Sequence, residues 1–430
     1  MTRPVRADPA GGPPAWVLHR PQADVTTVSV WLRTGSRDED EATAGGTHLL
    51  EHILLQAPSA GGERAVDLLE ALGGEANAIT SREHLVLYAR VPTEAAVRAL
   101  DVLARALAEP ELSGAVLAAE RKVVQEELRL AASDPLDVVH DVFFDLAFPG
   151  HPLGRPVGGT IEEVGRVELE ALRAHHARWL GSAGVVVCGG AAPEAVAGVL
   201  EKGPLAALPP WTPPACAGPP VVGAGRKALE LNSDTAGVVL GGPAVPYGHP
   251  LRPAWLVLME LLAGASSALL TEELRNRRGL CYELWALAAP YRDTGVWRAF
   301  VATAPEHVEE VVATAVALLA QPAWSPAEVT RAARRTAALL RLEAEQSLEE
   351  ALLYGRHALV AGCPDWTLAG ELAAIEAVAP EEIAGAVALD EAARAVGQGM
   401  VAPSIVAVAG MAVSCQEFPL PENHREMGRT

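Results

Sequence analysis

The pattern of apolar and polar positions repeats in the two halves of the chain. Residues 25–36 read VTTVSVWLRTGS, an alternating run rich in β-branched side chains that predicts a strand, and an apolar helical stretch follows from Thr47. In the second half, residues 235–246 (TAGVVLGGPAVP) predict the corresponding strand and residues 253–264 (PAWLVLMELLAG) the corresponding helix. The same order of elements in both halves indicates a duplicated structural unit.

Each half also ends in a short apolar run that is typical of a buried strand. These runs are GVVVCGG at residues 184–190 and SIVAVAG at residues 404–410. Strands often follow one another through short Gly or Asn turns instead of alternating strictly with helices, which favours antiparallel pairing. We therefore predict an α+β fold of two homologous domains, each a mostly antiparallel β-sheet packed with α-helices.

A proline-rich segment separates the two halves. Residues 203–220 read GPLAALPPWTPPACAGPP and contain seven prolines, each of which removes a backbone donor and restricts the residue before it. Neither a helix nor a central strand tolerates this composition. The predicted organisation is a first domain over residues 1–202, a linker over 203–227, a second domain over 228–416 and a tail over 417–430.

Composition and net charge indicate which classes of protein are compatible with this chain. Of the 430 residues, half are hydrophobic and a fifth are charged, a balance typical of a globular chain with a large core. Asp and Glu total 54 against 34 Lys and Arg, which gives a formal net charge of −20. This balance argues against a broad nucleic-acid surface, which needs clustered Lys and Arg. Basic peptides or partners would be attracted instead.

Cysteine usage and the apolar runs predict the compartment. Five cysteines are scattered without CxxC or zinc-ribbon spacing, which is typical of free thiols in a reducing compartment. The first residues contain no apolar stretch of the kind that forms a secretory signal. No apolar run approaches the roughly 18 residues of a membrane span. We therefore expect a cytoplasmic protein without membrane contact.

Residues 48–52 read His-Leu-Leu-Glu-His and form the first chemical motif. On a helix, His48, Glu51 and His52 share one face, because positions i, i+3 and i+4 lie on the same side. Two imidazoles one turn apart can hold one zinc ion, and the glutamate beside them can act on water. An HxxEH string also arises by chance in a few per cent of chains this long, so a second signal is required.

A third ligand would complete a catalytic zinc site. Such sites generally have three protein ligands, and a predicted helix from Ser113 to about Ala132 offers Glu120, Glu126 and Glu127. Glu120 and Glu127 are seven residues apart and project from the same face, whereas Glu126 lies roughly 120° away from Glu120. A solvated acidic face remains the simpler explanation for an arbitrary pair of glutamates.

Several segments together resemble a known family. In chain order they are similar to the inverzincin metallopeptidases grouped with insulinase, pitrilysin and the mitochondrial processing peptidase. The similarity covers most of the chain from about Val25 to Gly410. The segments are HLLEH (48–52), GGEANAITSREHLVLYARVP (73–92), ERKVVQEE (120–127), HPLGRPVGGT (151–160), GASSALLTEELRNRRGLCYEL (264–284) and YRDTGVWRAFVATAP (291–305).

The resemblance implies a role for each residue of the motif. It implies that His48 and His52 bind zinc, that Glu127 is the third ligand and that Glu51 is the general base. Glu120 would orient the site without binding the metal. The helix-face argument independently favours Glu120 with Glu127 as the pair that shares a face.

Four further residues take roles only from the resemblance. Asn77 and Ala78 would lie on a sheet edge where an extended peptide adds as a further strand through main-chain hydrogen bonds. Arg275 and Tyr282 match an arginine–tyrosine pair that approaches the scissile carbonyl from the opposing half of a chamber. Without the surrounding RNRRGLCYEL context, a surface arginine and a core tyrosine would be the favoured interpretations.

The implied function is zinc-dependent endopeptidase activity. The substrates would be short or unfolded peptides, with leader or targeting peptides as candidates, enclosed in a chamber formed by two subunits. The chain is about half the length of one-chain members of the family, which implies a dimer. A homodimer is favoured, and a heterodimer with a related zinc-less subunit is also compatible with the sequence.

Two other interpretations stay open. One is a non-catalytic subunit that keeps the fold as a peptide-binding scaffold, and it should contain no zinc. The other is a zinc hydrolase that cleaves small amides or esters instead of peptides.

Overall fold

The computed structural model describes residues 3–8, 12–58, 62–208, 211, 218–320, 322–393 and 403–410, with 387–393 described only in their backbone. The chain forms two compact units. The first consists of Met1–Arg129, Arg155–Gly218 and Leu340–Gly370, and the second of Leu130–Gly154, Pro219–Leu339 and Glu371–Thr430.

Fourteen α-helices lie within the described residues. They are α1 Gly46–Gln56, α2 Ala65–Ala71, α3 Ala96–Ala108, α4 Gly114–Ala131, α5 Pro135–Ala147, α6 Ile161–Arg166, α7 Leu169–Trp179, α8 Pro193–Lys202, α9 Arg252–Met259, α10 Val308–Ala320, α11 Pro326–Glu343, α12 Ser347–Gly355, α13 Leu368–Glu376 and α14 Pro380–Ala393. Wider π-helical turns cover Glu260–Gly264, Thr271–Arg277 and Arg356–Val360. Among these described helices, none is both long and apolar enough to cross a lipid bilayer.

The first unit contains a six-stranded sheet in the order β1-β2-β6-β3-β5-β4. Its pairs are antiparallel except for β2 with β6, which is parallel. The strands are β1 Val5–Arg6, β2 Ala15–His19, β3 Val25–Leu32, β4 Glu75–Thr80, β5 Leu85–Pro92 and β6 Ala183–Gly189.

The second unit contains a five-stranded sheet in the order β7-β11-β8-β10-β9. Here too one pair, β7 with β11, is parallel and the others are antiparallel. The strands are β7 Gly225–Leu229, β8 Ala236–Ala244, β9 Cys281–Pro290, β10 Gly295–Thr303 and β11 Ile405–Ala409.

The two sheets share one topology. Strands β2, β6, β3, β5 and β4 correspond in position and direction to β7, β11, β8, β10 and β9. The predicted α+β fold of two similar units, with mostly antiparallel sheets, is therefore confirmed. Each sheet also contains one parallel pair, because the last strand of each repeat inserts beside the first.

The units differ from the predicted domains because two helices are exchanged between the sequence halves. Helix α5 comes from the first half and packs on β8 and β11, whereas α12 comes from the second half and packs on β3 and β6. Close approach is possible because Gly355 lies against the Trp31 ring and Gly237 lies against Val139. An apolar helix face indicates that a helix is covered, but it does not indicate which sheet covers it.

The predicted linker and tail are only partly described. Of residues 203–227, the last three already belong to strand β7, so this segment ends earlier than the composition predicts. The stretches 209–210 and 212–217 and the tail 417–430 lie outside the described residues.

Helix α1 is positioned by the core of the first unit. It packs against β4 and β5, and its apolar residues join a cluster with the inward side chains of β3 and β5. Burying a leucine side chain stabilises a fold by about 1.5–3 kcal/mol, so this face fixes how the helix is rotated. The residues of α1 in this cluster are Leu49, Leu50, Ile53, Leu54 and Leu55.

Candidate metal centre

The predicted motif residues lie on the part-exposed face of α1. His48, Glu51 and His52 are each partly exposed, while the leucines between them are buried. Gly45 precedes the helix with a φ of 78°, a left-handed conformation that glycine adopts without steric cost. The sequence therefore gives a helix with one apolar side and one side that carries three polar groups.

Helix α4 places two glutamates opposite α1. The Oε2 atom of Glu127 lies 3.3 Å from Nε2 of His52 and 3.8 Å from Nε2 of His48. The Oε2 atom of Glu120 lies 3.5 Å from Nδ1 of His52. Glu126 instead is exposed and pairs with Arg129 at 2.7 Å, as expected from its angular position on the helix.

The donor atoms of His48, His52 and Glu127 fit a zinc ion. They all lie within 4.8 Å of one another. A tetrahedral ion with bonds of about 2.0–2.1 Å separates its ligand atoms by about 3.3–3.5 Å, close to the two observed histidine–glutamate distances. Two imidazoles and one carboxylate are a ligand set of catalytic zinc sites, and three ligands leave a fourth position for a small molecule.

The protonation state of His48 favours metal binding. Burial lowers the pKa of His48, with Glu51 and Glu127 acting against this shift and His52 adding to it. A lower pKa keeps the imidazole neutral at pH 7, which is the form that binds a metal ion. The two rings stand nearly perpendicular at 79°, with centroids 5.0 Å apart.

The predicted substrate-binding residues lie on an edge strand. Asn77 and Ala78 belong to β4, which pairs with β5 and is the last strand of this sheet in the described part of the chain. Asn77 is exposed and Ala78 is buried. The N–H group of Ala78 donates a hydrogen bond of 2.8 Å to Oδ1 of Asn77.

Arg275 and Tyr282 lie in the second unit. Arg275 is exposed in a π-helical turn, and Tyr282 is 61% exposed near the start of β9. Burial raises the pKa of the neighbouring Cys281 thiol, and the charge of Arg275 opposes this shift. Both predicted residues are therefore exposed within the second unit.

Two residues that contact α1 or its motif, Glu39 and Gly158, were assigned no role by the sequence. Glu39 is buried beneath the start of the helix, although its acidic run DEDE is typical of solvated surface. Gly158 lies against the His48 ring, where a Cβ atom would be 3.0 Å from Nδ1. The adjacent glycines in HPLGRPVGGT could have indicated the close approach of Gly158 to His48. The acidic sequence around Glu39 gave no indication that this residue is buried.

Fold and site together define a class of protein. The chain is a duplicated α+β protein whose first unit brings two histidines and a glutamate from separate helices into one donor cluster. Family models identify this class further: the model of insulinase (peptidase family M16) matches residues 16–161, and that of the peptidase M16 inactive domain matches residues 166–335. The chain belongs to the insulinase family of peptidases, M16.

Individual relatives agree with this assignment. A protein of Mycobacterium leprae named an uncharacterized zinc protease is 32% identical over 318 residues, covering 71% of this chain and 70% of that protein. The mitochondrial-processing peptidase subunit beta of Lentinula edodes is 27% identical over 296 residues, covering 65% and 63%. A peptidase M16 inactive domain from Pseudomonas fluorescens shares the fold with a TM-score of 0.82 at 17% identity, covering 96% of this chain and all of that one.

Proposed function

We propose that the protein is a zinc-dependent endopeptidase that cleaves short or unfolded peptides. The observation that carries this proposal is the convergence of His48, His52 and Glu127 at distances that suit one zinc ion. Membership of a peptidase family and relatives named zinc proteases support the metal and the reaction class.

Each residue of the centre has a defined task in this proposal. His48, His52 and Glu127 hold the zinc ion, and Glu120 orients His52 through its Nδ1 atom. When bound, zinc supplies a Lewis acid that polarises a carbonyl and lowers the pKa of water. Glu51 takes a proton from the attacking water and delivers it to the leaving amine nitrogen as the C–N bond breaks.

The edge strand β4 would bind the substrate. An extended peptide that pairs with β4 gains main-chain hydrogen bonds irrespective of its side chains, which suits an enzyme that accepts varied peptides. The N–H group of Ala78 is one donor for such pairing. Because this group is held by Oδ1 of Asn77, an incoming peptide would have to displace that side chain.

Arg275 and Tyr282 would stabilise the oxyanion that forms on the scissile carbonyl. Both carry donors that strengthen as negative charge develops. Since the metal residues lie in the first unit and this pair in the second, a homodimer can complete each site with residues of the other subunit. The match to a peptidase subunit beta supports a heterodimer as the alternative assembly. A cytoplasmic location remains part of the proposal.

The experiment combines metal analysis with one substitution. The purified protein should contain about one zinc per chain and cleave a peptide library, and a chelator should abolish cleavage. Glu51→Gln should retain the zinc and lose turnover by about 10²- to 10⁴-fold, because only the proton transfer is removed. Glu126→Gln is the matched control, since Glu126 is exposed on α4 and pairs with Arg129.

The results separate the proposal from its rivals. A protein that binds peptides, contains no zinc and cleaves nothing would be the scaffold subunit. Cleavage of small amides or esters without cleavage of any peptide would indicate another class of zinc hydrolase. Full peptidase activity in Glu51→Gln would refute the role of Glu51.

A further inference from the structure

A buried carboxylate lies beneath the first turn of α1. The side chain of Glu39 is only 5% exposed. Its Oε2 atom accepts a hydrogen bond of 2.9 Å from the N–H of Gly45, and its Oε1 atom accepts one of 2.7 Å from the N–H of Thr47. Thr47 directly precedes His48, so this carboxylate holds the backbone from which a metal-binding side chain projects.

The N-terminus of α1 has no capping side chain of its own. The residue that precedes α1 is Gly45, which offers no capping group. The first N–H groups of a helix have no partner within it and carry partial positive charge. Glu39 satisfies two of the N–H groups at this terminus with the two oxygen atoms of one side chain.

Glu39 is itself held in place by its surroundings. Its carbonyl oxygen accepts a hydrogen bond of 3.0 Å from Nη1 of Arg155. The hydroxyl of Thr47 lies 3.1 Å from Nε2 of the buried His175. Burial raises the pKa of Glu39 to about 7, while its bonds to Thr47 and Gly45 lower it. A carboxylate is costly to bury, and these bonds offset part of that cost.

The first turn of α1 is also closely packed against Gly158. Gly158 lies against the His48 ring, and a Cβ atom there would be 3.0 Å from His48 Nδ1 and 2.9 Å from a methyl group of Leu128. A Cβ atom at Gly45 would lie 2.7 Å from the carbonyl oxygen of Gly158. The first turn therefore has little room to shift without displacing the His48 ring.

We propose that Glu39 is a positioning residue of the metal centre, which fixes the first turn of α1 and thereby the direction of His48 toward Glu127. This inference rests on the proposed function. Glu39 does not touch the donor cluster, so its effect is transmitted through Thr47. Groups that orient metal ligands typically change metal affinity by about 10- to 100-fold when they are removed.

Glu39→Gln tests the proposal, because a carboxamide of the same shape places an NH₂ group against one of the two N–H donors. The full-length protein is titrated with Zn²⁺ and with Co²⁺, whose visible spectrum reports the ligand geometry. We expect Zn²⁺ affinity to fall about 10- to 100-fold, the Co²⁺ spectrum to change, and kcat at saturating zinc to fall while KM stays within about twofold.

Glu328→Gln is the matched control. Glu328 also accepts a hydrogen bond at a helix N-terminus, from Ser325 N at 2.8 Å, but it lies in the second unit. This variant should bind both metals as the wild type does. Thermal unfolding of the metal-free wild type and variants measures stability separately. A lower metal affinity in a variant of unchanged stability then reports a change in ligand geometry.

The outcomes distinguish a positioning role of Glu39 in the metal centre from a role in stability alone. If Glu39→Gln is less stable but binds metal and turns over within about twofold of the wild type, Glu39 serves stability alone and the proposal is overturned. If Glu39→Gln does not fold, Glu39→Asp is measured in the same way, and unchanged affinity in that folded variant overturns it equally. A wild-type protein that binds no zinc would instead refute the proposed function.

Discussion

At the scale of residues, two buried ionisable groups with opposite pKa shifts, Glu39 and His175, both contact Thr47 at the start of α1. Burial raises the pKa of Glu39 to about 7 and lowers the pKa of His175 to about 4. Glu39 binds a proton more readily in the folded state, so its protonation stabilises the fold as the pH falls from about 7. His175 binds a proton less readily in the folded state, so it acts in the opposite direction.

The contribution of His175 can be measured by substitution. Between an unfolded pKa near 6.5 and a folded pKa of about 4, only the unfolded chain takes up the proton, so stability is lost as the pH falls through this range. From pH 7 to pH 5 the loss is about 2 kcal/mol. His175→Gln should not show this loss of stability. Urea unfolding of the zinc-free wild type and variant at pH 7 and at pH 5 measures the free energy of unfolding of each protein.

The comparison between variant and wild type isolates His175, because the opposing contribution of Glu39 is common to both proteins. A stability difference that is the same at pH 7 and pH 5 would mean that His175 takes up a proton equally in the folded and unfolded states. In that case burial would not hold the imidazole neutral in the folded protein.

At the scale of elements, the proposed site combines the helices α1 and α4 with the strand β4. Helix α1, which carries the motif residues, packs on β4 and β5, and β4 is the strand that we propose receives the peptide. Helix α4 supplies the carboxylates from the other side. This arrangement predicts that substrate binding and metal binding depend on different elements and can be separated by substitution.

Ala78→Pro provides that separation. It removes the N–H group that we propose for substrate pairing, and proline is tolerated on edge strands where the N–H is not needed by a neighbouring strand. The expected result is a KM raised by about tenfold, corresponding to the roughly 1.4 kcal/mol of one hydrogen bond, with zinc content unchanged. Asn77→Ala is the companion variant: it frees the same N–H group and should leave KM equal or lower.

Steady-state kinetics with one library-derived peptide, together with metal analysis, decide the result. Loss of zinc in Ala78→Pro would show that β4 also supports the metal centre. An unchanged KM with full zinc would place the peptide somewhere other than this edge.

Local pattern predicted the elements of the site but not everything that surrounds them. The helix expected from Thr47 is α1, the helix expected from Ser113 to about Ala132 is α4, and the run at 25–36 contains β3, because each has a clear period. The exchange of α5 and α12 depends on tertiary packing, which periodicity does not encode. Glu39 could not be distinguished from its exposed acidic neighbours for the same reason.

At the scale of the whole molecule, the helix exchange makes the two sequence halves interdependent. The first unit requires residues 340–370 and the second requires residues 130–154, so neither half contains a complete unit. Functional tests therefore need the full-length chain. The same requirement allows two full-length variants, each defective in a different unit, to be combined in one experiment.

Mixing two inactive variants tests whether a homodimer shares its sites. Glu51→Gln removes the proposed base in the first unit, and Tyr282→Phe removes a proposed oxyanion donor in the second. If each site uses Glu51 of one subunit and Tyr282 of the other, a mixed dimer contains one intact and one doubly defective site. Random re-association of equal amounts makes about half of the dimers mixed, so about a quarter of the wild-type activity should return.

Sites built within one subunit give a different result, because every site in the mixture then carries one defect and no activity returns. The control mixes Glu51→Gln with wild type, in which both arrangements predict about half of the wild-type activity per total chain. Mass determination of the same samples establishes whether dimers form. A stable, fully active monomer would exclude the homodimer, and a protein that becomes active only with a separate zinc-less subunit would support the heterodimer.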